Sequence, residues 1–511
     1  MTFRASLPVL VCAVGVSIAL EGVVPLRAPF DTRVFAERQA AAGQPETELA
    51  QDHMQSRRAE DYEALLRYRP GYSFWQHIFT IPDGHIAFGS AVDGRLLVVF
   101  PTRGDWMTAA DWKDPSLRSV LYGQPLARSL DDRRDQVAAL LENVVGPVVH
   151  NPTRGQFLLP NVRRYGSFLK EWGAIYERFG VPAEIGLAQA AIESGFHPSR
   201  LSEARAVGLC QWKQVNWRRL DQLAPAVIEA HNQTTQAAYC AAYLIVLATK
   251  YGSFIPALSE HHSGGTNVGR TLINGERLGG EDIRDRYFMG SQFARDMRRI
   301  SLYGYRDMYR TYGPRSYLYS EMVFGNALNV TRLAESTPQE KIHAMRTTRA
   351  IPIAEVTKHA RLSADEVRRY NPALTRRVPA GATLYLPSYH KEFGRDVTFW
   401  HRPPSSAFAA TLNEFVRTRA SFEQWDSRSF ESVLRSFQKR FASTNTEEGS
   451  VMATVIAYTI ETTYGNKQGA ILAEFRQSEE IRRLFEQALV ERDAMRAARA
   501  AVEPASTDAT R

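Results

Sequence analysis

The chain has 511 residues, 44% hydrophobic and 23% charged, with a formal net charge of +8. That length exceeds one ordinary domain, and the balance excludes a disordered or fibrous chain. The mild basicity fits an anionic envelope polymer; no basic run with interleaved aromatics stands out, so no nucleic-acid partner is expected.

Residues 1–20 carry Arg4 and then LPVLVCAVGVSIAL, an apolar run short for a membrane span and typical of an export signal. Ser17-Ile18-Ala19 offers a small-x-small cleavage site, with an uncleaved anchor as the alternative. The expected location is the periplasm or cell envelope. Residues 21–57, rich in Ala, Gln and Glu with few apolar anchors, read as a linker.

A first folded unit is expected over 58–150. It starts with a helix over 59–68, ended by Pro70-Gly71. Strand-like runs FWQHIFTI, HIAFGSAV and RLLVVF follow, divided by Pro82-Asp83-Gly84 and Asp93-Gly94, which is the turn chemistry of a meander. Packing is the default role of this β unit, and a docking surface for other envelope proteins is the alternative. Residues 130–145 pattern as an amphipathic helix, and helical patterning resumes over 161–179.

The stretch 181–212 is the centre of the reading. Pro182 and Glu184 suit a first helical turn, and Ile185, Ala188, Ala191 and Ile192 recur on one face. Gly195 and Pro198 stop the run. A short buried helix results, with one acid, Glu193, at its end. A carboxylate at the negative end of a helix, among apolar neighbours, is expected to have a raised pKa, as a general acid needs near neutral pH. An ordinary helix-end glutamate reaching solvent is the bland alternative. A further helix is expected over 235–251, and the glycine-rich 264–280 reads as a loop bordering the site.

Glu193-Ser194, followed by Gly208-Leu209-Cys210-Gln211, resembles the first two motifs of the lytic transglycosylases of the goose-type lysozyme superfamily. Cys210 stands where the family has Met. The third motif, Ala-Tyr-Asn with a following glycine, is matched in frame by Glu260-His261-His262-Ser263-Gly264, without its Tyr and Asn. The resemblance covers 156–303, within an expected lysozyme-like domain of 151–335. It implies cleavage of peptidoglycan glycan strands by a single glutamate, Glu193. The implied substrate-binding residues are Ser194, Gly208, Leu209, Gln211, His261, His262 and, for a family tyrosine, Tyr287, with Phe293 as the other candidate. Ser194 would orient Glu193, and the Gly208 backbone would let a glycan approach.

Adjacent histidines rarely converge on one ion and no HExxH spacing is present, so no metal is expected at Glu260, His261 and His262, and no cofactor. After signal cleavage Cys210 and Cys240 remain; two separate buried thiols are the preferred reading over a disulfide closing about thirty residues.

Residues 353–388, within a unit of 346–390 set off by a looser stretch near 336–348, resemble a LysM module, a βααβ glycan-binding unit. Ile353, Val356, Val367, Asn371-Pro372 and Leu384-Tyr385-Leu386-Pro387 support the match; Arg349-Ala350-Ile351-Pro352 replaces the family's Gly-Asp-Thr-Leu. This order of units is similar to that of membrane-bound lytic transglycosylases of the D type. Residues 403–500 pattern as a helical bundle, and 501–511 as a disordered tail. The fold class expected is mainly α: a β-meander unit, a lysozyme-like domain, a βααβ module and a bundle. The function expected is a secreted peptidoglycan lytic transglycosylase. The alternatives are a non-catalytic wall-binding scaffold and a hydrolytic lysozyme, for which Glu203 and Glu260 are the candidate second acids.

Overall fold

A computed structural model describes residues 47–297, 318–418, 428–464 and 468–502. The expected signal, most of the linker and the tail beyond 502 lie outside the described residues. Helix α1 (Thr47–Tyr68) begins inside the stretch expected to be a linker. Its docking uses charge as well as apolar groups, which is why the composition hid it. Asp61 is fully buried and accepts from Ser253 Oγ at 2.6 Å, Phe254 N at 2.7 Å and Arg284 Nε at 2.7 Å. Those donors compensate a carboxylate removed from water.

The run FWQHIFTI is helical, not a strand. A 3₁₀ turn (Pro70–Phe74) passes into α2 (Trp75–Ile78). Phe74, Trp75, Ile78 and Phe79 are all buried, a four-residue spacing that strand-like composition masked. The other two runs are β1 (His85–Ser90) and β2 (Leu96–Pro101); with β3 (Asp111–Trp112) and β4 (Val148–Pro152) they form an antiparallel sheet in the order β3-β2-β1-β4. Helix α3 (Leu130–Val145) covers it, and Phe88, Phe100, Trp106, Val137 and Leu141 make a separate small core.

Helices α4 (Gly155–Tyr165), α5 (Leu169–Arg178) and α6 (Ala183–Ser194) lead into the hairpin β5 (Ala206–Val207) and β6 (Trp212–Lys213). Helices α7 (Gln214–Leu223), α8 (Gln233–Tyr251) and α9 (Phe254–Ser263) follow. Every residue of α8 except Tyr243 is buried, so the main core forms around it. The glycine-rich 264–280 is not a loop but mostly helix α10 (Gly265–Arg277), packed on α11 (Ile283–Met297). A Cβ at Gly275 would lie 1.8 Å from the Arg286 carbonyl oxygen, and one at Gly290 2.0 Å from that of Thr271. The glycines let two helix backbones touch. Helix α12 (Tyr319–Ser336) closes this part against α6.

Next come β7 (His343–Arg346), β8 (Ile351–Pro352), α13 (Ile353–Ala360), α14 (Ala364–Tyr370), β9 (Arg377–Val378), β10 (Thr383–Leu386) and β11 (Arg395–Asp396). β7 pairs antiparallel with β10, giving βααβ order, and the first strand begins ahead of residue 346. The stretch 336–348 is not loose. Glu340 N donates to Ser167 O, Lys170 N to Gln339 Oε1 and Ile342 N to Glu171 Oε2, while Ile342 and Ala344 join the main core.

Helices α15 (Ser406–Arg417), α16 (Arg428–Ser443), α17 (Glu447–Thr459), α18 (Gln468–Gln477) and α19 (Glu479–Val502) complete the mainly helical fold. The bundle does not stand alone, because α15 packs on α1 and α17 on α8. The described residues cluster as one compact unit. Cys210 and Cys240 form a disulfide, 6.1 Å between Cα atoms, instead of two separate thiols. The 208–211 loop meets α8 at Gln236, which accepts from Leu209 N–H, a contact that sequence spacing does not reveal. Among the described residues no helix is long and apolar enough to cross a membrane.

Candidate active site

Helix α6 must end where it does. Its cap, Gly195, has φ 58°, and a Cβ there would lie 2.4 Å from the Phe157 carbonyl oxygen. Glu193 therefore sits in the last turn with 12% of its side chain exposed. Three groups from distant elements meet its Oε1. The Tyr319 hydroxyl, at the start of α12, donates at 2.6 Å. His262 Nδ1 and His261 Nε2, in the last turn of α9, stand at 3.7 and 3.9 Å. The His262 ring stacks on Tyr319 at 4.4 Å and 9° between planes. His261 Nε2–H donates to the Cys210 carbonyl at 2.8 Å, which fixes the buried ring.

This surrounding reverses the expected charge behaviour. Burial pushes the Glu193 carboxyl up, but the neighbouring His262 and His261 and the Tyr319 hydrogen bond together hold it below the ordinary glutamate range. An apolar helix end alone predicted the opposite. Burial lowers His261 despite the neighbouring Glu193. Burial and the Glu193 charge push Tyr319 well up, so it remains a donor.

Most residues named from the motifs hold the site rather than line it. Ser194 is fully buried; its Oγ donates to Ala190 O at 3.0 Å and Leu209 O at 3.2 Å, joining the end of α6 to the second motif instead of orienting Glu193. Gly208 has φ 87°, and a Cβ there would lie 2.1 Å from Gln236 Nε2, so Gln236 and not a glycan requires the glycine. Leu209 is buried, and its N–H donates to Gln236 Oε1. Gln211 is half-buried, with φ 51°, and donates to Arg200 O at 2.9 Å and Gly208 O at 3.1 Å. With Glu193 and His262, it is one of the motif residues that keep some exposure.

Tyr287 is fully buried, its hydroxyl bonded to Ser259 Oγ, and Phe293 packs on Phe485 at 4.8 Å. Neither is the tyrosine of the site. That residue is Tyr319, and the signal for it was the apolar stripe Tyr319, Val323, Phe324, Ala327, Val330, which starts a core helix with a tyrosine on its buried face.

Glu260 is buried and accepts from Lys250 Nζ at 2.7 and 2.9 Å and from Tyr251, which commits its carboxylate to that ion pair. Glu203 is exposed on the loop before β5. Among the described residues no three His, Cys, Asp or Glu side chains converge to hold an ion. A separate pocket, lined by Thr235, Tyr239, Arg346, Thr383, Tyr385 and Glu447 among others, shares no residue with the Glu193 site.

Compared with known proteins, the chain matches no family model and no curated protein.

Proposed function

We propose that the protein is a secreted lytic transglycosylase that cleaves the glycan strands of peptidoglycan at the MurNAc–GlcNAc β-1,4 bond, with Glu193 as both acid and base. One observation carries this reading. A partly exposed carboxylate stands at a helix end, held by Tyr319 at 2.6 Å, while the candidate second acid Glu260 is neutralised by Lys250. Glycan binding excludes water from the carboxyl and favours its neutral form. Glu193 then protonates the glycosidic oxygen and the C–O bond breaks. The carboxylate takes the proton of the C6 hydroxyl, which attacks the anomeric carbon and closes a 1,6-anhydro ring. His262, exposed and 3.7 Å from Glu193, and the half-buried Gln211 of the second motif are the groups that can meet the sugar.

The Cys210–Cys240 disulfide supports export to an oxidising compartment, the periplasm or cell envelope. The βααβ unit is read as a LysM-like module, and the β1–β4 sheet as a packing unit. The low Glu193 carboxyl favours a second reading, a non-catalytic wall-binding scaffold, because it works against the acid step.

Mass spectrometry of digested peptidoglycan separates these readings. Products about 18 Da lighter than hydrolysis products, lost by about two to four orders of magnitude in Glu193→Gln, are expected. Hydrated products would point to a lysozyme. No products, with wall binding intact, would leave the scaffold.

A further inference from the structure

Behind Glu193 the face of α6 carries polar groups that packing does not require. Gln189 lies four residues before Glu193, one turn back on the same face, and is 1% exposed. Neither its amide nitrogen nor its amide oxygen closes a hydrogen bond. Tyr176, on α5, is fully buried, and its hydroxyl has no hydrogen-bond partner either. The Tyr176 ring lies over Gly186, where a Cβ would come within 2.1 Å of it, and Gly186 is three residues before Gln189. Both side chains lie near the Tyr319 hydroxyl, the group that donates to Glu193. A leucine or methionine would fill the Gln189 position at no cost in unmet hydrogen bonds. A buried amide kept there calls for a polar role.

We propose that Gln189 is a positioning residue of the Glu193 site: its amide N–H donates to the Tyr319 hydroxyl oxygen, so that the single hydroxyl proton is aimed at Glu193. The amide oxygen accepts the Tyr176 hydroxyl. The row then runs from Tyr176 Oη–H to Gln189 Oε1, from Gln189 Nε2–H to Tyr319 Oη, and from Tyr319 Oη–H to Glu193 Oε1. Each hydroxyl proton is used once. A tyrosine that accepts a hydrogen bond donates a stronger one, so the row stabilises the Glu193 carboxylate formed when its proton leaves. The groups acting most on Glu193 itself are His262 and His261 from α9 and Tyr319 from α12. Gln189 reaches it through Tyr319, and this role rests on the glycan-cleaving reading.

The test uses Gln189→Leu and Tyr176→Phe in the full chain. The Glu193 carboxyl is followed by ¹³C NMR and assigned by its loss in Glu193→Gln, with no substrate present. In Gln189→Leu the melting temperature should hold or rise while Glu193 titrates at higher pH, because the carboxylate has lost part of its hydrogen bonding. Release of products from peptidoglycan sacculi should fall roughly tenfold in kcat with KM little changed, the effect of weakening one hydrogen bond to the reacting group. Tyr176→Phe should move both readouts the same way by less. A folded Gln189→Leu with wild-type Glu193 titration overturns the proposal. If Gln189→Leu does not fold, an unchanged titration in Tyr176→Phe overturns it instead. A wild type that releases nothing from sacculi sinks the glycan-cleaving reading, while the titration still decides whether Gln189 positions Tyr319.

Discussion

Reduction of the Cys210–Cys240 disulfide should weaken both the fold and the site. The bond closes a sequence separation of 30 residues. In the chain-entropy account, releasing a loop of that length from the unfolded state costs about 3.6 kcal/mol of stability at 25 °C. Both cysteines are almost fully buried, so replacing them with alanine would add a packing loss; reduction leaves the sulfurs in place and isolates the cross-link. The assay is urea unfolding after refolding with or without reductant. It can be followed by the fluorescence of Trp212 and Trp217, which lie 4.9 Å apart beside the linked loop. The midpoint should fall by an amount corresponding to about 3 to 4 kcal/mol, and Cys210→Ala/Cys240→Ala should not respond to reductant. The Cys210 carbonyl holds His261, so product release should fall in parallel. An unchanged midpoint in protein whose thiols alkylate freely would refute the reasoning.

Three further outcomes follow from the packing. Lys250→Met should destabilise by about 3 kcal/mol in urea unfolding by stranding the buried Glu260 charge, and adding Glu260→Leu should recover much of it; equal loss in both would count against a charge effect. Gly275→Ala should cost about 3 kcal/mol or prevent folding, because its Cβ meets the Arg286 carbonyl at 1.8 Å, whereas Gly279→Ala, with open space around it, should cost mainly the strain of its φ of 87°. Burial pushes the Glu229 carboxyl up to about 7, against the lowering effect of its hydrogen bonds from Thr235 and Thr383. Its folded value is raised, so its contribution is fully present below the unfolded value near 4.5 and is lost as pH rises through about 7. Glu229→Gln should flatten that pH dependence and stabilise at pH 8 by about 3 kcal/mol in urea unfolding; a stability profile identical to wild type would refute the assignment.

Local patterns reached as far as single elements. The helical stripe of α6, its glycine stop and Glu193 in its last turn follow from spacing alone, since a period of 3.6 residues and a left-handed cap are properties of a short stretch. So do the turns around β1 and β2 and the long helix α8, where capping and turn residues sit beside the elements they bound. Composition misled where a partner decided the outcome. The first half of α1 looked like a linker because its anchor Arg57 is polar and binds a group far away in the chain. The glycines of α10 looked like loop residues because the backbone they admit, that of α11, is not local.

The site itself belongs to tertiary structure. Tyr319 reaches Glu193 across 126 residues, and His261 reaches Cys210 across 51. Only the packing of α9 and α12 against the end of α6 brings those donors together, and they turn the expected rise of the Glu193 carboxyl into a fall. The sequence by itself determined which acid ends α6 and which loop follows it. Whether that acid is protonated, which motif residues face outward and which tyrosine attends it were decided by contacts between elements, because pKa and exposure depend on neighbours in space rather than in sequence.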